Sequence, residues 1–153
     1  MQVFGVILNT ILILMFIFIV SCEDLSADEL SKAKKKWYSN EALNYSYTAE
    51  WKCWCPHAGI VRIVVRDGEV VSRSSERGVS LEKNKFIATI PGHFWFIEKV
   101  IEVENSYLHV KYDKNNGIPV FIEYYDKSTT DTGLYIKIIQ FDFEAKSAVE
   151  RPR

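Results

Sequence analysis

The first 22 residues constrain this chain most strongly, because they carry no charged side chain. None of the 19 basic and 20 acidic residues lies before Glu23. Residues 3–20 are apolar except for Gly5, Asn9 and Thr10, and a helix of that length spans about 27 Å, close to the thickness of a bilayer's hydrocarbon core. Such a segment is typical of a secretory signal or a membrane helix. Only the remainder is therefore expected to fold as a globular domain.

The end of the apolar segment favours a lipoprotein signal. Ile19, Val20, Ser21 and Cys22 are consecutive, and this order of aliphatic, aliphatic, small and cysteine resembles the lipobox of bacterial lipoproteins. The resemblance implies that residues 1–21 are cleaved and that the thiol of Cys22 receives lipid. Residues 22–25 would then be a short tether, and acyl chains would hold the protein on the extracytoplasmic side of the cell membrane or the outer membrane.

The distribution of basic residues supports the alternative, an uncleaved membrane anchor. A signal peptide ordinarily begins with lysine or arginine, and residues 1–10 contain neither. Lys32 and residues 34–36, all lysines, follow the apolar segment instead. The positive-inside rule would then place the domain that follows these lysines on the cytoplasmic side of the membrane. Both interpretations stay open from the sequence alone.

The remaining composition is that of one ordinary domain. The net charge is −1, which argues against a nucleic-acid-binding protein, because such proteins carry a basic surface. Three cysteines are too few for a disulfide-rich miniprotein. We predict a single domain over residues 26–146 and a frayed tail over residues 147–153.

Hydrophobic periodicity predicts one helix and three strands in the first half of this domain. Ser26 and Glu29 have the spacing of a capping box, and Leu30, Ala33 and Trp37 recur at helical intervals, which predicts a helix over 27–38. From residue 44 apolar and polar residues alternate with a period of two, which is typical of a β-strand. The predicted strands are 44–55, 60–66 and 69–73, with a tight turn at 67–68 and a polar loop after 73.

The second half repeats this order. A proline followed by apolar residues at helical spacing predicts a helix over 91–104. The predicted strands are 107–112, 119–125 and 133–143, with a turn at 115–117. Tight turns join antiparallel neighbours. We therefore predict an α+β fold in the order α-β-β-β-α-β-β-β, an antiparallel sheet of about six strands with both helices on one face.

The ordered motifs resemble a bacterial family called domain of unknown function 6174. The residues that carry the resemblance run from the first helix to the last predicted turn: Trp37, Tyr45, Tyr47, Cys53, Cys55, Val65, Asp67, Gly68, Val110, Tyr112, Asp113, Gly117, Pro119, Asp126 and Asp131. Ile118 departs from the aromatic residue that the family usually has there. The resemblance spans roughly residues 30–143 and implies one secreted or lipid-anchored domain. It implies no activity.

Cys53 and Cys55 are the first candidate for chemistry. With Cys22 acylated they are the only remaining thiols, so each can form an intramolecular disulfide only with the other. Residues i and i+2 of a strand lie roughly 6.6 Å apart, near the upper limit for a disulfide. A disulfide, two buried thiols, a redox-active pair and a metal site that includes His57 are the alternatives. Zinc ordinarily takes four ligands from two spaced pairs, so we predict no metal and no cofactor.

No other pattern predicts catalysis. The sequence lacks the motifs of serine hydrolases, zinc proteases and phosphate-binding loops. His93 and His109 stand outside any paired motif. Residues 113–117 resemble the start of a calcium loop, but their glycine is one position early, so a turn is the simpler interpretation. Strand aromatics are either core residues or a stacking platform, and core packing is the simpler interpretation.

The sequence therefore favours a non-enzymatic, lipid-anchored envelope protein that binds or supports another envelope component. Its expected partners are the membrane, through the acyl chains, and an envelope protein, but not nucleic acid. The alternative is a thiol-redox or metal-binding module that uses Cys53 and Cys55.

Overall fold

The computed structural model describes residues 25–53, 58–75, 86–129 and 133–144. The predicted signal peptide, Cys22, Cys55, His57 and the tail lie outside these residues. The elements are α1 Leu25–Ser39, β1 Tyr45–Cys53, β2 Gly59–Arg66, β3 Glu69–Ser75, a 3-10 turn Phe86–Ala88, α2 Ile90–Ile101, β4 Ser106–Tyr112, β5 Pro119–Asp126 and β6 Gly133–Phe143. Within this part of the chain, no helix is long and apolar enough to span a bilayer.

The predicted α+β fold is confirmed. The six strands form one antiparallel sheet in the order β3-β2-β1-β6-β5-β4. Each half of the chain supplies three adjacent strands, and β1 and β6 join the halves at the centre, from Tyr45 opposite Phe143 to Cys53 opposite Leu134. The two halves therefore have the same internal strand order, third-second-first, and they meet through the first strand of one half and the last strand of the other.

Helix α1 presents one apolar face to the sheet. Leu30, Ala33 and Trp37 are buried at helical spacing, as predicted. The Trp37 ring lies edge-on to Tyr45, with centroids 5.3 Å apart, and stacks on Phe143. The helix begins at Leu25, two residues before the predicted start, and ends at Ser39, one residue after the predicted end.

Helix α2 begins one residue earlier than predicted and ends three residues earlier. The Thr89 hydroxyl accepts a hydrogen bond from the Gly92 amide at 3.0 Å, which caps the helix, and a proline follows in its first turn. After Ile101 the chain turns, and the Ser106 hydroxyl donates to the Val103 carbonyl at 2.8 Å. This bond fixes the route into β4, so Val103 does not extend the helix.

Both helices pack on the same face of the sheet. Helix α1 contacts Tyr45 through Trp37, and α2 contacts Tyr124 through Phe96, with ring centroids 5.6 Å apart. Because side chains alternate along a strand, these strand residues mark one side of the sheet, the helix side. The core residues of the central strands lie there too: Tyr47, Ala49, Trp51, Val61, Ile63, Val65, Ile122 and Ile136.

The β4–β5 turn docks against α1. The Asp113 carboxylate accepts hydrogen bonds from the amides of Asn115 and Asn116 at 2.9 and 3.0 Å, which closes the turn on itself. Gly117 follows with φ +77°, and its Cα lies so close to α1 that an added Cβ would be 2.1 Å from the Ala33 carbonyl oxygen. The turn interpretation of residues 113–117 is thus confirmed, and the carboxylate serves the turn.

Candidate functional site

The side of the sheet opposite the helices carries a group of aromatic rings on β4, β5 and β6. The direct partners Tyr107 and Tyr125, and His109 with its partner Glu123, lie on this side, because their neighbours Leu108 and Val110 point to the helices. We call the rings on this side the aromatic face, which consists of Tyr107, His109, Phe121, Tyr125 and Tyr135.

The rings of the aromatic face contact one another across the strands. Tyr107 stacks on Tyr125 with centroids 4.6 Å apart and planes 20° apart. Phe121 lies edge-on between His109 at 5.4 Å and Tyr135 at 5.2 Å. Four of the rings are half-buried, and Tyr125 is 42% exposed. Cross-strand aromatic pairs hold one another in place, so the face offers ordered rings to solvent.

These rings correct the expectation that strand aromatics belong to the core. Tyr45, Tyr47 and Trp51 are indeed buried under the helices. Tyr107 and Phe121 do not lie under the helices. The pairing of β1 with β6, continued to β5 and β4, places these two residues on the opposite side of the sheet. The strand aromatics are therefore divided between the core and the open side of the sheet.

Lysines and glutamates border the aromatic face in near balance. The Lys52 ammonium lies 4.6 Å from the centre of the Tyr135 ring and 3.1 Å from the Glu50 carboxylate, whose hydrogen bond raises the pKa of Lys52. Lys111 lies 5.6 Å from the centre of the Phe121 ring. Cation–π contacts of this kind fix the lysine stems over the rings while the charges stay in water. Glu123, opposite Tyr135, adds a second carboxylate.

A depression of about 350 Å³ lies where this face meets the first residues of β6. Tyr125, Tyr135, Lys52, Glu123 and Gly133 contribute to its lining. Gly133 is the direct partner of Tyr125, so the position opposite that ring holds no side chain. Tyr124, Cys53 and Leu134 complete the lining, so one ammonium group and one carboxylate lie beside the rings of the aromatic face.

Cys53 lies at the edge of this depression and of a second one. The second depression, of about 320 Å³, includes Trp51, Gly59 and Ser75 in its lining. Cys53 is disulfide-bonded, and its partner lies outside the described residues. The identity of that partner, predicted as Cys55, stays a prediction.

The buried His93 belongs to the packing between α2 and the sheet. The Tyr47 hydroxyl donates its proton to the Ala88 carbonyl at 2.6 Å, so the 3.4 Å contact with Nε2 of His93 requires the imidazole to donate. Burial lowers the pKa of His93 to about 4, and the ring is therefore neutral at pH 7. Burial also raises the pKa of Tyr47. Two neutral groups in a hydrogen-bonded pair have a structural role here.

The other titratable candidates from the sequence are dispersed. His109 lies on the aromatic face, and Asp113 closes the β4–β5 turn. Asp126 accepts hydrogen bonds from the amide and hydroxyl of Ser128, which lower the pKa of its carboxyl. Over the described ranges, no group of three histidine, cysteine or acidic side chains is placed to hold a metal ion.

Comparison with known families identifies the domain. The model of DUF6174, a family of unknown function, matches residues 29–143, about three quarters of the chain. The chain belongs to the DUF6174 family. The matched range begins in α1 and ends at Phe143, the last residue of β6, so the whole sheet and the aromatic face of this DUF6174 domain lie within it. No curated protein and no solved structure matches the chain.

Proposed function

We propose that this DUF6174 protein is a lipid-anchored, non-catalytic recognition module of the bacterial cell envelope, and that its aromatic face binds another envelope component. The observation that carries the proposal is the set of five ordered, partly exposed rings on the side of the sheet that both helices leave open. An exposed apolar patch with a polar rim is typical of an interaction site. The fold does not need these rings for its core, which lies on the helix side.

The chemistry of the described residues favours binding over catalysis. The buried histidine is neutral and engaged with Tyr47. Asp113 and Asp126 accept hydrogen bonds within their own turns. A catalytic site brings a base, a nucleophile and an orienting group together in one cleft. The aromatic face offers stacking surface instead, with a lysine and a carboxylate at its rim.

The anchoring part of the proposal depends on the N-terminal sequence. The apolar segment ends at Cys22, and α1 begins at Leu25. A lipid on Cys22 would thus leave a tether of only a few residues before the folded domain. Such a tether would keep the aromatic face close to the membrane surface, where envelope components are concentrated.

A thiol-redox module is the second candidate, because Cys53 is disulfide-bonded and lies between two surface depressions. Such a function requires Cys55 as the resolving thiol and access of a reducing partner to the bond. The metal-binding version would need Cys55 and His57, which lie outside the described residues. The recognition role is preferred because it uses residues whose arrangement is described in full.

Metabolic labelling with a tagged fatty acid tests the anchor. Wild-type protein is expected to take up the label, and Cys22→Ser is expected to take up none, because the thiol is the attachment point in a lipoprotein signal. Cys53→Ser serves as the matched cysteine control and should retain the label. Label that survives Cys22→Ser would contradict lipid attachment and favour the uncleaved anchor.

Amine-reactive footprinting of intact envelopes tests the recognition role. Lys52 and Lys111 lie over rings of the aromatic face, and Lys137 is the exposed partner of Phe121. A bound envelope component would exclude reagent from this surface. These three lysines are therefore expected to react more slowly in the native envelope than in the protein purified in detergent.

A further inference from the structure

We infer that the depression beside Gly133 binds a neutral sugar ring, so that the envelope component recognised by the aromatic face is a glycan. This inference rests on the proposed recognition role and names the chemical class of its ligand. It is carried by the gap opposite Tyr125, by the two flanking rings and by the pair of opposite charges that line the same depression.

The backbone conformation at position 133 does not require a glycine. Gly133 does not have a positive φ, in contrast to Gly59, Gly68 and Gly117. Among the residues that the structure describes, a Cβ added to Gly133 would meet only the Tyr124 carbonyl oxygen, at 3.8 Å, which is an ordinary contact. A larger residue would therefore fit the strand, and the absence of a side chain keeps the space beside Tyr125 open.

Tyr125 and Tyr135 flank this gap as diagonal neighbours on adjacent strands. Diagonal neighbours in an antiparallel sheet lie about 7–8 Å apart, about twice the contact distance between carbon atoms. A space of this width accommodates one chair-shaped pyranose ring between the two side chains. Each tyrosine is held from its far side, Tyr125 by Tyr107 and Tyr135 by Phe121, so little side-chain entropy is lost on binding.

The polar groups of the depression suit hydroxyl groups. The Glu123 carboxylate accepts hydrogen bonds and the Lys52 ammonium donates them, and both line the depression. The C–H bonds on the face of a sugar ring are slightly positive and pack against the negative faces of aromatic rings. A pyranose thus presents both kinds of contact at once, with its hydroxyls around the edge and its C–H bonds on the faces.

The charge balance selects a neutral sugar over nucleic acid. Surfaces that stack bases also carry a basic groove along the phosphate backbone. Here Lys52 is paired with Glu50, and Glu123 lies in the same depression. A phosphodiester in this depression would lie beside the Glu123 carboxylate, whereas an uncharged glycan meets no like charge there.

Titration of the full-length protein in detergent with sugar tetramers tests this inference. The probes are linear tetramers of N-acetylglucosamine, glucose and galactose, and binding is measured by calorimetry. At least one tetramer is expected to bind saturably. Tyr125→Ala, which removes one stacking ring, and Gly133→Val, which fills the gap, are each expected to weaken that binding about tenfold or more.

Two control variants separate this binding from general effects. Tyr38 is 54% exposed on α1, on the helix side of the sheet, so Tyr38→Ala should leave binding unchanged. Tyr125→Phe keeps the ring and should bind within about threefold of wild type, because stacking is retained. Equal binding by wild type, Gly133→Val and Tyr125→Ala would overturn the proposed site.

Different results would disprove the sugar class of the ligand and the recognition role of the aromatic face. No saturable binding of any tetramer, together with protection of Lys52 and Lys111 in native envelopes, would overturn the sugar class and leave the recognition role standing. No tetramer binding and no protection would overturn both.

Discussion

Gly117→Ala is expected to lower the free energy of unfolding by about 3–4 kcal/mol, the sum of a left-handed backbone cost and an overpacking cost. Gly117 has φ +77°, which an L-residue with a side chain rarely adopts. Its added Cβ would lie 2.1 Å from the carbonyl oxygen of Ala33 and 2.9 Å from the carbonyl carbon. Both atoms belong to the backbone of α1, so no rotamer change relieves the contact.

Gly68→Ala is the matched control for this effect. Gly68 has a nearly equal φ of +79°, but the nearest atom to its added Cβ is a Leu43 side-chain carbon at 3.9 Å. Only the backbone cost remains, about 1 kcal/mol. Urea unfolding followed by tryptophan fluorescence gives both values. Equal destabilisation by the two variants would show that the β4–β5 turn does not dock on α1 as described.

Acidification from pH 7 to pH 4 is expected to cost the fold about 3 kcal/mol through His93 alone, at 1.36 kcal/mol for each pH unit of separation. Burial lowers the pKa of His93 in the folded state from 6.5 to about 4. Below pH 6.5 the unfolded chain therefore binds a proton that the folded chain does not. The free energy of unfolding falls through this window and stops falling near pH 4, where the folded state is protonated too.

The His93→Leu variant isolates this contribution. The quantity compared is each variant's own loss of stability between pH 7 and pH 4, because other groups titrate in the same window. The loss should be smaller in His93→Leu by about 3 kcal/mol, even if the variant is less stable at pH 7. An unchanged loss in His93→Leu would mean that His93 is not buried in its neutral form.

The local elements of this fold are predictable because neighbouring residues determine them. The alternation from Tyr45 to Trp51 and the turn at Asp67 and Gly68 specify β1 and the β2–β3 hairpin through their own backbone and side-chain preferences. The pairing of β1 with β6 joins residues about 90 positions apart, and no local pattern encodes it. That pairing decides the strand order of the whole sheet.

The aromatic face was not predicted because both sides of β4 and β5 carry large apolar groups. On β4, Leu108 and Val110 alternate with Tyr107 and His109, and periodicity alone does not say which set meets the helices. The central register, with its irregularity between Thr48 and Ala49, makes that choice. One signal was present: Lys111 and Glu123 alternate in step with the outer aromatics. The inner residues in the middle of the two strands, Leu108, Val110 and Ile122, are apolar.

The chemical states of Cys53 and Cys22 could not be predicted, because they depend on covalent chemistry that the sequence leaves open. Cys53 is disulfide-bonded, yet its thiol was equally compatible with a buried free cysteine on the apolar side of β1. The proposed lipid on Cys22 would depend on an export signal that is recognised by enzymes and not by folding. Neither outcome follows from packing, so both need the chemical tests given above.

The most direct test of the central claim compares the lysine footprint of the wild-type protein in its native envelope with that of the protein purified in detergent. Lys35 and Lys99 are exposed on α1 and α2 and serve as internal references. We predict that Lys52, Lys111 and Lys137 react about threefold or more slowly in the envelope, because a bound component covers them, while the two references are unchanged. Equal rates at all five lysines, or protection confined to the helices, would show that the aromatic face is not the recognition surface.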